Sequence, residues 1–153
     1  MKKLPDAIAK RDLLFAKKTP AVESELAAFG QALEESSWLS DAADFFSQSK
    51  DKAALQRLRQ KSVAEGNSFL FLKAQRLLGD EDFPKAELLE CARQAEKQGK
   101  IRYAIKAYER LEDNAEAARL SVLIAGDGDR ISEAESKVFI PAGQDEIKDD
   151  ESN

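Results

Sequence analysis

The sequence predicts an all-α chain built as a stack of antiparallel helical hairpins, and three observations predict it. Bulky residues Trp38, Leu70 and Tyr103 recur at intervals of 32 and 33 residues, each followed four places on by an alanine, Ala42, Ala74 and Ala107. Four residues further stand Phe46, Leu78 and Leu111, and Ala54, Ala86 and Ala117 match again beyond them. Helix punctuation follows the same interval, with Gly66 and Gly99 spaced 33 apart and Gly126 and Gly128 near a third place. The chain also has only 7 glycines and 4 prolines in 153 residues and is rich in strong helix formers. A period of this length marks helical hairpins, none of which can bury its apolar face alone, so that neighbours must do it.

The elements follow in order. Residues 5–18, with Leu4, Ile8, Leu14 and Phe15, read either as the first helix of a degenerate leading pair or as a disordered basic arm. Phe15 lies one period before Phe46, and a charged, irregular unit suits the polar outer face a terminal repeat must show to water. Thr19-Pro20 is a cap followed by proline at the first helical position, opening a segment through Val22, Leu26, Phe29 and Leu33. Ser36-Ser37 separates it from a helix beginning near Trp38, and a polar break at residues 47–51 leads to one through Ala54, Leu55, Leu58 and Val63. The next pair runs from Phe69 to Leu78 and, after Asp82-Phe83-Pro84, through Leu88, Leu89, Ala92 and Ala95. The last runs from Ile101 to Leu111 and then from Ala117 to Ile124, where Asp113 and Glu116 have capping-box spacing.

Beyond residue 128 the pattern is expected to end. The expected organisation is a repeat domain over 1–128, with leading helices in 1–35 and repeats in 36–128, and an acidic, largely disordered tail over 129–153. Within that tail, Val138-Phe139-Ile140-Pro141 either covers the last helix or is read by another protein.

Charge is unevenly placed around a net value of −5. Residues 1–20 carry six Lys/Arg against two Asp, and residues 127–153 carry nine Asp/Glu against three Lys/Arg. A folded domain without a basic face is a poor nucleic-acid binder, so none is expected as a partner. No apolar run approaches a membrane span of about 20 residues, and Asp6, Lys10, Arg11 and Asp12 interrupt what a secretory signal would need. With one cysteine, Cys91, and no means of forming an internal disulfide, a cytoplasmic location is expected.

Composition argues against chemistry. There is no histidine, the commonest general base and neutral metal ligand. Cys91 stands among Leu88, Leu89, Ala92 and Ala95 and reads as packing. Asp127-Gly128-Asp129 and Asp80-Glu81-Asp82 begin like calcium loops, but the required glycine and closing glutamate are absent from both, and they read as turns. No enzyme activity, cofactor or metal is expected.

The matched positions resemble the tetratricopeptide repeat over residues 36–126, a family of paired helices in which a bulky residue is followed by a small one, an aromatic, and a small residue opening the second helix. The chain departs from it where a leucine is expected, at Asp41, Lys73 and Lys106, and at the aromatic, which is Phe45, Leu77 and Arg110 in strict register. The resemblance implies a right-handed stack of about three hairpins with a ligand groove along the first helices. Carried over, that groove is Ser36, Leu39, Ala43 and Ser47; Ser68, Phe71 and Gln75; and Ile101, Ala104, Tyr108 and Glu112. The core of the expected partner site is Leu39, Ala43, Phe71, Gln75, Ala104, Tyr108 and Glu112, a set without Lys or Arg and so unsuited to a peptide carboxylate. The expected function is a non-catalytic scaffold or adaptor gripping the apolar anchors of another protein's segment. The alternative is a building block that self-associates through Leu120, Leu123 and Ile124; a third reading is contact with an acidic surface through the basic N-terminal residues.

Overall fold

The computed structural model describes residues 4, 6–80 and 82–138, with side chains as far as Gly126. Among them the chain forms eight packed helices and no strand: α1 (Ala7–Phe15), α2 (Pro20–Glu35), α3 (Leu39–Gln48), α4 (Lys52–Ala64), α5 (Ser68–Leu78), α6 (Lys85–Lys97), α7 (Ile101–Arg110) and α8 (Asn114–Val138). Residues 7–15 are thus helical, and the basic segment is no arm over that stretch. Its hold on the rest is slight: α1 packs on α2 and α3, Lys10 pairs with Asp41 at 2.5 Å, and Ile8 and Phe15 are exposed.

Five of the seven junctions share one backbone device. After α2, α3, α4, α6 and α7 a single residue turns left-handed, at Ser37, Lys50, Gly66, Gly99 and Glu112. The N–H that follows it reaches back five residues in each case: Trp38 to Leu33, Asp51 to Phe46, Asn67 to Ser62, Lys100 to Ala95 and Asp113 to Tyr108. These are Schellman turns, which satisfy carbonyls that the helix end would leave unpaired. The same five residues carry the first carbonyl of the next helix, bonded by Ala42, Leu55, Phe71, Ala104 and Ala117. One residue therefore ends one helix and starts the next at each of these junctions.

Side chains complete several starts. Thr19 Oγ1 accepts from the Val22 N–H at 3.3 Å ahead of Pro20. Asp51, Asn67 and Asp113 accept from the amides of Ala54, Leu70 and Glu116. Glu116 does not return the bond in a capping box; its carboxylate pairs with Arg119 instead.

Packing is local in the chain: each helix touches only neighbours one or two places away. The odd helices form a row in which α1 packs on α3, α3 on α5 and α5 on α7, whereas in the even row α4 packs on α6, and α2 with α4 and α6 with α8 meet through the ion pairs Glu34–Arg57 and Glu96–Arg119. The core divides at α5 into two clusters. Leu70 belongs to the first, with Leu26, Phe29, Phe45, Phe46, Leu55 and Leu58, and its neighbour Phe71 to the second, with Leu88, Cys91, Tyr108 and Leu120. Helix α5 is thus a wall shared by both halves. Ala42, Ala74 and Ala107 are each fully buried, as expected of small residues that let helices approach.

Helix α8 corrects one expectation. Its backbone continues through Gly126 and Gly128 to Val138, so Asp127-Gly128-Asp129 is helical rather than a turn. Each glycine costs about 1 kcal/mol in a helix interior, but extending an existing helix needs no new nucleus. Phe139, Ile140 and Pro141 lie outside the described residues. No helix among the described residues is long and apolar enough to cross a membrane.

Candidate binding cleft

The connection from α5 to α6 differs from the other turns. Gly79 closes α5 in a left-handed conformation, and the chain then runs on to Pro84 before α6 begins. Gln75, almost fully buried, holds this segment: its Nε2 donates to the carbonyls of Asp80 (3.4 Å) and Asp82 (3.1 Å). Its Oε1 accepts from Arg59 Nη1 at 2.8 Å, and Arg59 Nε lies 3.3 Å from Glu87 Oε2 on α6. The pinned loop carries Phe83 to one wall of a cleft of about 1190 Å³ on the odd-helix face, between α5 and α7 and reaching Ser40 on α3.

The floor of the cleft is aromatic and apolar. Phe69, half exposed, meets the Tyr103 ring edge-on with centroids 5.1 Å apart, and Leu72 and Phe83 continue the surface. Ser68, buried on α5, donates to the Tyr103 carbonyl at 2.6 Å and fixes the two helices there.

The rim is cationic: Lys73, Arg76, Lys106 and Arg110 line it, with Asp80 and Asp82 at the loop end. Lys73 is already engaged, donating to the Ser40 carbonyl at 2.8 Å, Ser40 Oγ at 2.9 Å and Asp44 Oδ2 at 2.9 Å. Lys106 occupies the equivalent place one repeat later, but the residues 33 and 29 positions before it are Lys73 and Leu77 instead of Ser40 and Asp44. Its one carboxylate among the described residues is Glu109 at 3.8 Å. Arg110 stacks over Phe83 at 5.2 Å, and the Arg76 guanidinium has no ion pair among the described residues. Arg102, Lys106 and Arg110, four residues apart, form one stripe of α7.

Of the residues expected from the sequence to line a groove, Gln75 does line this cleft, and Leu39 borders a smaller hollow beside Ser37 and Trp38. Leu39, Ala43, Phe71, Gln75, Ala104 and Tyr108 are all buried, and Ala43, Phe71 and Ala104 have no exposed surface. A partner cannot touch those three unless the helices part. Phe71 anchors the second core cluster, Gln75 clamps the loop, and Glu112 is exposed in the turn after α7 with φ 63°. The open face lies about one residue on, at Ser40, Leu72, Arg76 and their neighbours, a rotation of about 100° round each helix. The expectation of a cation-free groove belonged to the buried positions; the open cleft is basic.

Tyr108 has a bonding role of its own. Its hydroxyl donates to Glu96 Oε1 at 2.6 Å, and Glu96 Oε2 takes Arg119 at 2.8 Å, so α6, α7 and α8 are tied together. Burial, then the Glu96 bond, pushes the phenol up to about 12. The Tyr108 hydroxyl foremost, with help from Arg119, holds the Glu96 carboxyl below the ordinary glutamate value. Cys91 is wholly buried with Sγ 3.5 Å from the Ser62 carbonyl, and burial raises its thiol to about 11, far from a nucleophile's range.

Sequence signals for the cleft existed. Lys73, Lys106 and Arg110 are the very positions at which the chain departs from the repeat pattern, where an apolar residue was expected. Comparison with protein-family models, with curated proteins and with solved structures found no match to this chain.

Proposed function

We propose that the protein is a non-catalytic interaction scaffold, a tetratricopeptide-like stack that holds a segment of another protein on its concave side. Packing supports a curved stack: odd helices pack on each other at every step from α1 to α7, while in the even row α2 with α4 and α6 with α8 meet through the ion pairs Glu34–Arg57 and Glu96–Arg119. The row that is closer together lies on the inside of the bend, and right-handed stacking follows from the repeat likeness. The observation that carries the reading is the cleft on that inner row, with an aromatic floor and with Arg76 and Lys106 at its rim short of carboxylate partners. Apolar anchors supply affinity and the cations choose among them. A reducing cytoplasm suits a chain whose one thiol is buried.

Affinity capture from the native extract, with wild-type protein beside Arg76→Glu/Lys106→Glu, tests this. Both side chains are exposed, so the variant keeps its circular dichroism. Proteins held by the wild type and lost from the variant support the reading; identical capture by both removes the cleft from it.

Self-association is the second reading, favoured by Val122 and Leu123, which are 70% and 53% exposed side by side on α8. Leu120 is core and offers nothing to a second copy. Sedimentation that stays monomeric over a wide concentration range, and is unmoved by Leu123→Glu, would sink it.

A further inference from the structure

We propose that the α5–α7 cleft is the docking site for the chain's own acidic segment at residues 145–151, which occupies it in competition with partners. The proposal rests on the cleft being a binding surface.

Charge complementarity selects the occupant. The cleft and the stripe beside it offer Arg76, Arg102, Lys106 and Arg110, of which only Lys106 approaches a carboxylate among the described residues, and at 3.8 Å. Asp145-Glu146-Ile147-Lys148-Asp149-Asp150-Glu151 brings five carboxylates against one lysine, the densest acidic run in the sequence. It also carries one apolar side chain, Ile147, to lie on the Phe69–Tyr103 floor. Paired carboxylates suit guanidinium groups in particular, which take them through two parallel hydrogen bonds.

Chain length permits the return. Ile124 borders the same surface hollow as Ile101, Arg102 and Tyr103, so α8 passes the start of α7 at that level. From Ile124 to Val138 the helix advances about 21 Å further. The fifteen residues after Val138 span at most about 50 Å. Asp145 falls seven residues beyond Val138, with a reach of about 23 Å, enough to come back to Tyr103. Asp149 to Glu151 then lie level with Lys106 and Arg110, one to two turns along α7. A tethered segment acts at an effective concentration in the millimolar range, so even weak ion pairs keep it seated.

The test uses the full chain carrying Ser152→Cys, labelled with a nitroxide; Cys91 is buried and stays unlabelled. Docking predicts that the label broadens the amide signals of residues 73–76 and 102–106, and that Arg76→Glu/Lys106→Glu or about 0.5 M salt abolishes this. Broadening that is absent, or indifferent to charge reversal, overturns the proposal. So does broadening of an isotope-labelled chain by a nitroxide on a second, mixed-in copy, which would mean docking between molecules. A peptide copying residues 143–153 separates this from the cleft reading. Added to the full chain with Asp145→Asn, Glu146→Gln, Asp149→Asn, Asp150→Asn and Glu151→Gln, it is expected to bind about tenfold or more tighter than to wild type. Equal binding to both overturns docking by the tail while the cleft stands, and binding to neither overturns both.

Discussion

Two junctions of the odd row, α3 with α5 and α5 with α7, are built from the same repeat position and end differently. At the first, Lys73 bridges to Ser40 and Asp44 and closes the face. At the second, Lys106 finds Lys73 and Leu77 where those acceptors would be, and the face stays open and cationic. One lysine is thus a strut and the lysine 33 residues later stays free of acceptors other than Glu109 among the described residues, and what decides is the residue 33 positions before each. The buried side of both junctions is shared, since Leu70 and Phe71 of α5 feed the two core clusters.

Removing the shared wall should erase the distinction altogether. Phe71→Ala deletes a wholly buried ring and is expected to cost about 3–5 kcal/mol, with loss of cooperative thermal unfolding. The turns sharpen the contrast next. A Cβ on Gly66 would lie 2.5 Å from the Ala95 backbone nitrogen at φ 61°, whereas one on Gly99 would meet nothing at φ 70°. Gly66→Ala should therefore cost roughly 2–4 kcal/mol and Gly99→Ala about 1 kcal/mol, read as shifts in denaturant midpoint. Equal losses would mean that α6 yields to the turn.

Smaller effects separate the two lysines. Lys73→Ala is expected to lower stability by about 1 kcal/mol, and Lys106→Ala to leave it unchanged within about 0.5 kcal/mol. The smallest concerns pH. Glu96 is held below the ordinary glutamate value of 4.5, so the stability it adds is complete above that value and is lost as pH falls through the lowered one. Wild type should exceed Glu96→Gln by less than about 1 kcal/mol at neutral pH, and the melting curves of the two should converge in acid.

Helix existence was legible because period and caps agreed, as at Thr19-Pro20 and Asp113. The facing of each helix was less so. A rotation of one residue separates Phe71, in the core, from Leu72, on the cleft, and the pattern matched both Phe45 and Phe46, which are both buried. Ala86 matches Ala54 in sequence but is exposed, because α6 follows the longer loop at residues 79–84 and enters the stack differently. Ser37, Lys50 and Glu112 take left-handed turns without glycine, so composition gave no sign of them, although the repeat of the junction required them. Gly126 and Gly128 suggested a stop that the growing helix overrides.

The most direct test of the central claim is the affinity of the acidic peptide copying residues 143–153 for the neutralised-tail chain, with and without Lys106→Ala, alongside thermal unfolding of both. An open cationic junction predicts that binding weakens about fivefold while the melting temperature holds. Unchanged affinity, or a melting temperature that falls as far as with Lys73→Ala, would contradict it and make Lys106 one more strut.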